Sequence, residues 1–138
     1  GNTTGYGIVQ DRSGSVTKRF VVEIVGEFNE NEGTLDEQFK WSDGKTEQRI
    51  WKLKKLNSTQ WIGTADDVVG EAIGTISGNT LKWEYILKLP LDNGSVNVKF
   101  DDWMYLVDEK VLMNKAQFSK FGFVLGEVTL SFIKASNL

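Results

Sequence analysis

From residue 96 to 132 the chain alternates apolar and polar side chains with period two, broken only by two short polar turns. Val96, Val98, Phe100, Asp102, Met104 and Leu106 fall on one side of the first run. Leu112, Asn114, Ala116 and Phe118 share a side in the second, and Val124, Gly126, Val128, Leu130 and Phe132 in the third. Successive side chains of an extended chain point to opposite faces, so each run predicts a strand with one apolar face. Asp108-Glu109-Lys110 and Lys120-Phe121-Gly122 are too short for crossovers, so neighbouring strands should be adjacent and antiparallel. The middle run also fits a helical period over 108–120, which stands as the competing reading there.

Upstream the pattern repeats. Strands are expected over 6–10, 16–28, 34–41, 46–56, 61–65, 68–76 and 81–89, with Pro90 ending the last. The turns between them carry Asp-Arg-Ser-Gly at 11–14, Ser-Asp-Gly at 42–44 and Asp-Asn-Gly at 92–94, all strong hairpin signals. Gly70 and Gly74 should mark bends or close backbone approach. About ten antiparallel strands with one apolar face each either pack as two sheets or close on themselves. Closure removes exposed edges. The predicted fold is therefore an all-β, up-and-down antiparallel barrel, lipocalin-like (calycin-like), forming a single domain over 1–138.

With 138 residues and a net charge of −3, the chain is one domain without the basic, aromatic-interleaved patches that nucleic acid requires. It contains no His and no Cys. Thiol or imidazole nucleophiles, Cys/His zinc sites and disulfides are thereby excluded from these residues. No metal and no cofactor is expected. No apolar run approaches the ~18 residues of a membrane-spanning helix. A targeting segment is expected to precede these residues in the full-length protein.

The runs GYGIVQDRSG (5–14), EGTLDEQF (32–39), GTADDVVGEAIG (63–74), KFDDWM (99–104) and SKFGFVLGEVTLSF (119–132) resemble an uncharacterised bacterial family, domain of unknown function 3833. The resemblance implies a small lipoprotein. The resemblance implies a lipocalin-like barrel exported to the cell envelope and anchored through an N-terminal lipid, with this domain facing the periplasm. It implies no catalytic residue.

Parity places four polar residues among apolar neighbours: Glu37, Arg49, Asp102 and Asn114. A buried charge needs a partner or costs several kcal/mol. Two readings follow. The four form a network that merely fixes the fold, with Asp102 and Arg49 each matched by an opposite charge. Alternatively they line a ligand site together with Trp51, Trp83 and Tyr85, and Arg49 meets an anionic head group. Asp101, adjacent to Asp102, should point outward. Asp66 and Asp67 are read as turn residues rather than ligands to Ca²⁺. Asp11 and Arg12 are read as a turn salt bridge, and Lys115 and Lys120 as solvated. The preferred expectation is a monomeric binding protein for a small apolar or lipid-like molecule. An enzyme using Asp102 or Glu37, and a filled barrel with a structural or partner-binding role, are the alternatives.

Overall fold

The computed structural model describes residues 1–134, so the last four residues of the expected domain lie outside it. Ten strands and no helix occur among the described residues: β1 (Asn2–Asp11), β2 (Val16–Phe28), β3 (Glu32–Trp41), β4 (Thr46–Lys55), β5 (Gln60–Thr64), β6 (Ala72–Ser77), β7 (Thr80–Leu91), β8 (Gly94–Leu106), β9 (Val111–Lys120) and β10 (Phe123–Lys134). Each pairs antiparallel with the next, and β1 pairs with β10 through registers such as Gly5↔Phe132 and Val9↔Val128. The barrel is closed and up-and-down. Within the stretch 108–120, residues 111–120 are strand and none is helix, because Asn114 and Ala116 are held to Met104 and Asp102 across the β8–β9 ladder. The turn between β9 and β10 places Phe121 and Gly122 at φ 52° and 78°, the positive pair that suits a two-residue hairpin.

Inward-facing side chains gather in two groups. Phe20, Val22, Leu130 and Phe132 form one, with Phe39 and Trp41 packed against it. Trp51, Val68, Ala72, Trp83 and Leu87 form the other, with Trp61, Tyr85 and Phe100 alongside. The Trp83 ring covers Gly63 of β5 and Gly74 of β6. A Cβ at Gly63 would stand 2.6 Å from it, and one at Gly74 would overlap it outright. Gly74 is thus the close approach that the sequence suggested, whereas Gly70, at φ 69°, is a bend outside any strand.

Two sequence expectations fail in one region, for one reason. The span 68–76 is not a continuous strand: residues 65–71 form a loop, and β6 begins only at Ala72. The strand β7 does not stop at Pro90 but runs through it, with Pro90 opposite Ser95. The pairs β5 and β6 are short, and β6 pairs with β7 only as far as Ile73↔Glu84. Beyond that point β7 has lost its strand neighbour. Ile86 and Lys88 direct their backbone groups to that side, and Pro90 follows at the same parity. The missing N–H of Pro90 therefore costs no ladder bond. The loop 65–71 fills the breach. Val68 bridges Leu87, Val69 N–H donates to the Ile86 carbonyl at 2.9 Å, and Lys88 N–H donates to the Asp67 carbonyl at 2.8 Å.

Candidate functional site

The sequence-predicted polar residues converge in the middle of the barrel. Glu37 on β3 stands opposite Arg49 on β4. Both have side chains deep inside, yet keep 14% and 16% of their surface accessible. Tyr85, Phe100, Phe39 and Phe118 also face inward and are only partly buried. Glu37 and Arg49 therefore keep a little accessible surface on the inner side of the barrel wall.

Arg49 is fully engaged. Its Nε donates to both carboxylate oxygens of Asp67 at 3.0 Å, and its Nη2 donates to Oδ2 at 2.8 Å. Its Nη1 lies 3.8 Å from Glu37 Oε1, and its guanidinium carbon sits 5.3 Å from the Phe39 ring centroid. Burial works to discharge it, but the Asp67 bonds and the charges of Asp67 and Glu37 outweigh burial and hold it charged. Asp67 is therefore a site residue, not only a turn residue. The fork that an anionic head group would need is already taken.

Asp102 is 6% exposed and faces inward, while Asp101 points out toward Lys99 at 3.8 Å. Parity had this right. The expected opposite charge is not there. Asp102 Oδ2 accepts a 2.8 Å hydrogen bond from the Tyr85 hydroxyl, and Oδ1 is buried without any partner. Burial pushes its carboxyl up to about 7; the Tyr85 bond and Arg49 oppose this, and the charge of Glu37 adds to it. Glu37 is likewise lifted to about 7 by burial, against Arg49 and the 2.9 Å bond from Trp51 Nε1. Burial and the neighbouring Asp102 carry the Tyr85 phenol well above its ordinary value. Two carboxylates and a phenol thus share one low-dielectric space.

Aromatic rings surround them. Tyr85 and Phe100 stack with centroids 5.4 Å apart and planes 1° apart, and Trp51 meets Tyr85 edge-on at 5.4 Å. Trp83 packs against Trp51 at 5.5 Å, one step farther from the carboxylates. Asn114, 3% exposed, spends its amide on the Trp103 carbonyl at 3.2 Å. It therefore acts within the wall.

Two surface expectations change and one holds. Asp11 does not pair with Arg12: its Oδ1 caps the turn by accepting from the N–H groups of Ser13 and Ser15 and from the Ser13 hydroxyl. Lys120 is partly buried and donates to the Asn97 carbonyl at 3.0 Å. Lys115 is exposed, as expected. Sequence reasoning missed Asp67, Phe39 and Phe100 as parts of the site. It also missed Trp41, whose buried indole N–H has no partner, beside the Phe20 group.

A family model described as "Protein of unknown function (DUF3833)" matches residues 1–134. No curated protein sequence matches. Among solved structures, the chain is similar to an S-type phycobiliprotein lyase, CPES, from Guillardia theta, with TM-score 0.72 and 7% identity over 100% of this chain and 89% of that one. It is also similar to EF1p2_mFAP2b, solved bound to DFHBI, with TM-score 0.50 and 10% identity over 96% and 91% of the two chains. At such identities the likeness is one of fold, a lipocalin-like barrel.

Proposed function

The chain belongs to the DUF3833 family, whose function is unknown, and on that premise we propose that it is a binding protein whose barrel holds one small, mostly apolar molecule in its lumen. The observation that carries this reading is the largely buried polar cluster of Glu37, Arg49, Tyr85 and Asp102 inside an aromatic wall. A few fixed polar groups in a concave apolar space are what orients a small ligand. A core built only for stability would not leave the Asp102 Oδ1 atom unpaired. The fold shared with a chain solved bound to DFHBI is compatible with a small guest.

A carboxylate-dependent enzyme fits less well. Acid–base pairs work when their environments drive the two pKa values apart. Here Glu37 and Asp102 are both lifted to about 7, and Asp67 is held by Arg49. In this proposal the full-length protein is exported and lipid-anchored, and the barrel works as a monomer in the periplasm. The support is the family resemblance of residues 5–132.

Native mass spectrometry of the protein purified from its own host tests the central claim. A co-purified molecule of constant mass, absent after mild denaturation, is the expected result. A bare chain that also fails to take up any small apolar probe would count against a binding role and favour the filled barrel. Fractionation of cells carrying the full-length gene tests the location, and recovery only in the soluble cytoplasm would refute it.

A further inference from the structure

We infer that the molecule held in the lumen carries a cationic nitrogen, seated between Asp102 and the aromatic corner formed by Trp51, Tyr85 and Phe100. The inference rests on the binding-protein reading and adds the chemistry of the head group. It starts from a charge count. The groups that face this space are Glu37 from β3, Arg49 from β4, Asp67 from the loop 65–71, Tyr85 from β7 and Asp102 from β8. Three are carboxylates, and one is a cation. Arg49 is committed to Asp67 on two nitrogens and leans on Glu37 with a third.

Each class of head group meets this set differently. An anion would find two carboxylates and no cation to spare, an unfavourable encounter in a low-dielectric space. A neutral head could satisfy the Asp102 Oδ1 atom with one hydrogen bond but leaves the acidic excess in place. A protonated amine supplies both a donor for Oδ1 and the missing positive charge, and bonds of that type are the stronger ones. The walls fit the same guest. The Tyr85 ring whose hydroxyl bonds Asp102 is flanked by Phe100 in parallel and by Trp51 at 78°, and aromatic rings attract cations. The Trp51 N–H is used by Glu37, which fixes that ring and sets a second carboxylate beside the corner. The apolar remainder of the ligand would run along Phe39, Phe118 and Val98.

The test compares three probes with one chain and three heads, namely decylammonium, 1-decanol and decanoate, each below its aggregation threshold, by calorimetry near neutral pH. Decylammonium should bind tightest, by about tenfold or more, the scale of one hydrogen bond to a charged group. Asp102→Asn should erase most of that preference, the decylammonium affinity falling toward that of decanol. Should that variant fold poorly, the unsubstituted protein still decides. Titration in two buffers of different ionisation enthalpy should show protons released as decylammonium binds, because a cation favours ionised Asp102 and Glu37. Equal affinity for the three heads, a preference that survives Asp102→Asn, or no proton release would overturn the cation inference and leave the binding role standing. If none of the three binds, both fall together.

Discussion

An ordinary surface aspartate stabilises a protein when it is ionised and paired; the geometry at Asp102 predicts the reverse. Its carboxyl is lifted from 3.8 to about 7. At ~1.36 kcal/mol per pH unit, the ionised form costs the folded state about 4 kcal/mol relative to the protonated form. The sign follows from proton binding. Between pH 4 and 7 the unfolded chain has lost this proton and the folded chain keeps it. Stability is then fullest below about pH 4 and falls as pH rises toward 7. Asp102→Asn removes the titration. The amide can still accept from the Tyr85 hydroxyl, but its NH₂ group takes the place of the unpaired Oδ1 atom and costs about 1–3 kcal/mol. At pH 4.5 the variant should therefore be less stable than the parent by about that amount. At pH 8.5 it should be equal or more stable, by up to about 2 kcal/mol, since the difference between variant and parent should shift by about 3 kcal/mol between pH 4.5 and 8.5. Urea melts at the two pH values measure this directly. A loss of the same size at both, as an ionised and salt-bridged aspartate would give, would refute the reasoning. It would mean that Asp102 has a cationic partner.

Asp101→Asn, on the outer face beside Lys99, should change stability by no more than about 0.5 kcal/mol at either pH in the same melts. Arg49→Met leaves Glu37 and Asp67 without their cation. The loss should be about 2–3 kcal/mol in urea, below the ~3–5 of a fully buried pair because Asp67 keeps 38% of its side chain exposed. Gly74→Ala pushes a methyl group into the Trp83 ring and should cost about 1–3 kcal/mol, with a changed near-ultraviolet dichroism reporting the displaced indole. Amide hydrogens of Val69 and Lys88 should exchange faster than those of the β8–β9 ladder, and faster still in Asp67→Asn, by hydrogen-exchange mass spectrometry.

Period-two alternation carries the whole barrel and even the orientation of Asp101 against Asp102, because parity is a local property of an extended chain. It correctly sends Glu37, Arg49, Asp102 and Asn114 inward for the same reason. What it does not carry is who meets whom across the lumen. Asp67 looks like a turn residue in sequence, and locally it is one. It meets Arg49 only because β5 and β6 are short and the loop 65–71 must fill the space they leave. Pro90 misleads by the same route. A proline ends a strand that has two neighbours, and β7 has one at that height. The Asp102–Tyr85 bond depends on residues 17 apart in the chain, brought together by the register of the β7–β8 hairpin, and spacing alone does not reveal that register.

The breach between β4 and β7 has a mechanical side. Nearly everywhere the wall is a hoop of cooperative backbone bonds, which share a load along their length. At this one height the two sides are joined through a clasp, with main-chain stitches from the loop to Ile86, Leu87 and Lys88 on one side and the Arg49–Asp67 ion pair on the other. A split ring yields at its clasp, and tension across this seam would find a single pair of side chains rather than a ladder. Pulling apart cysteines introduced at Thr46 and Pro90 should then need less force than pulling apart a pair placed across the β8–β9 ladder. Raising the salt concentration should lower the force at the seam alone, since ions screen the clasp and leave the ladder untouched.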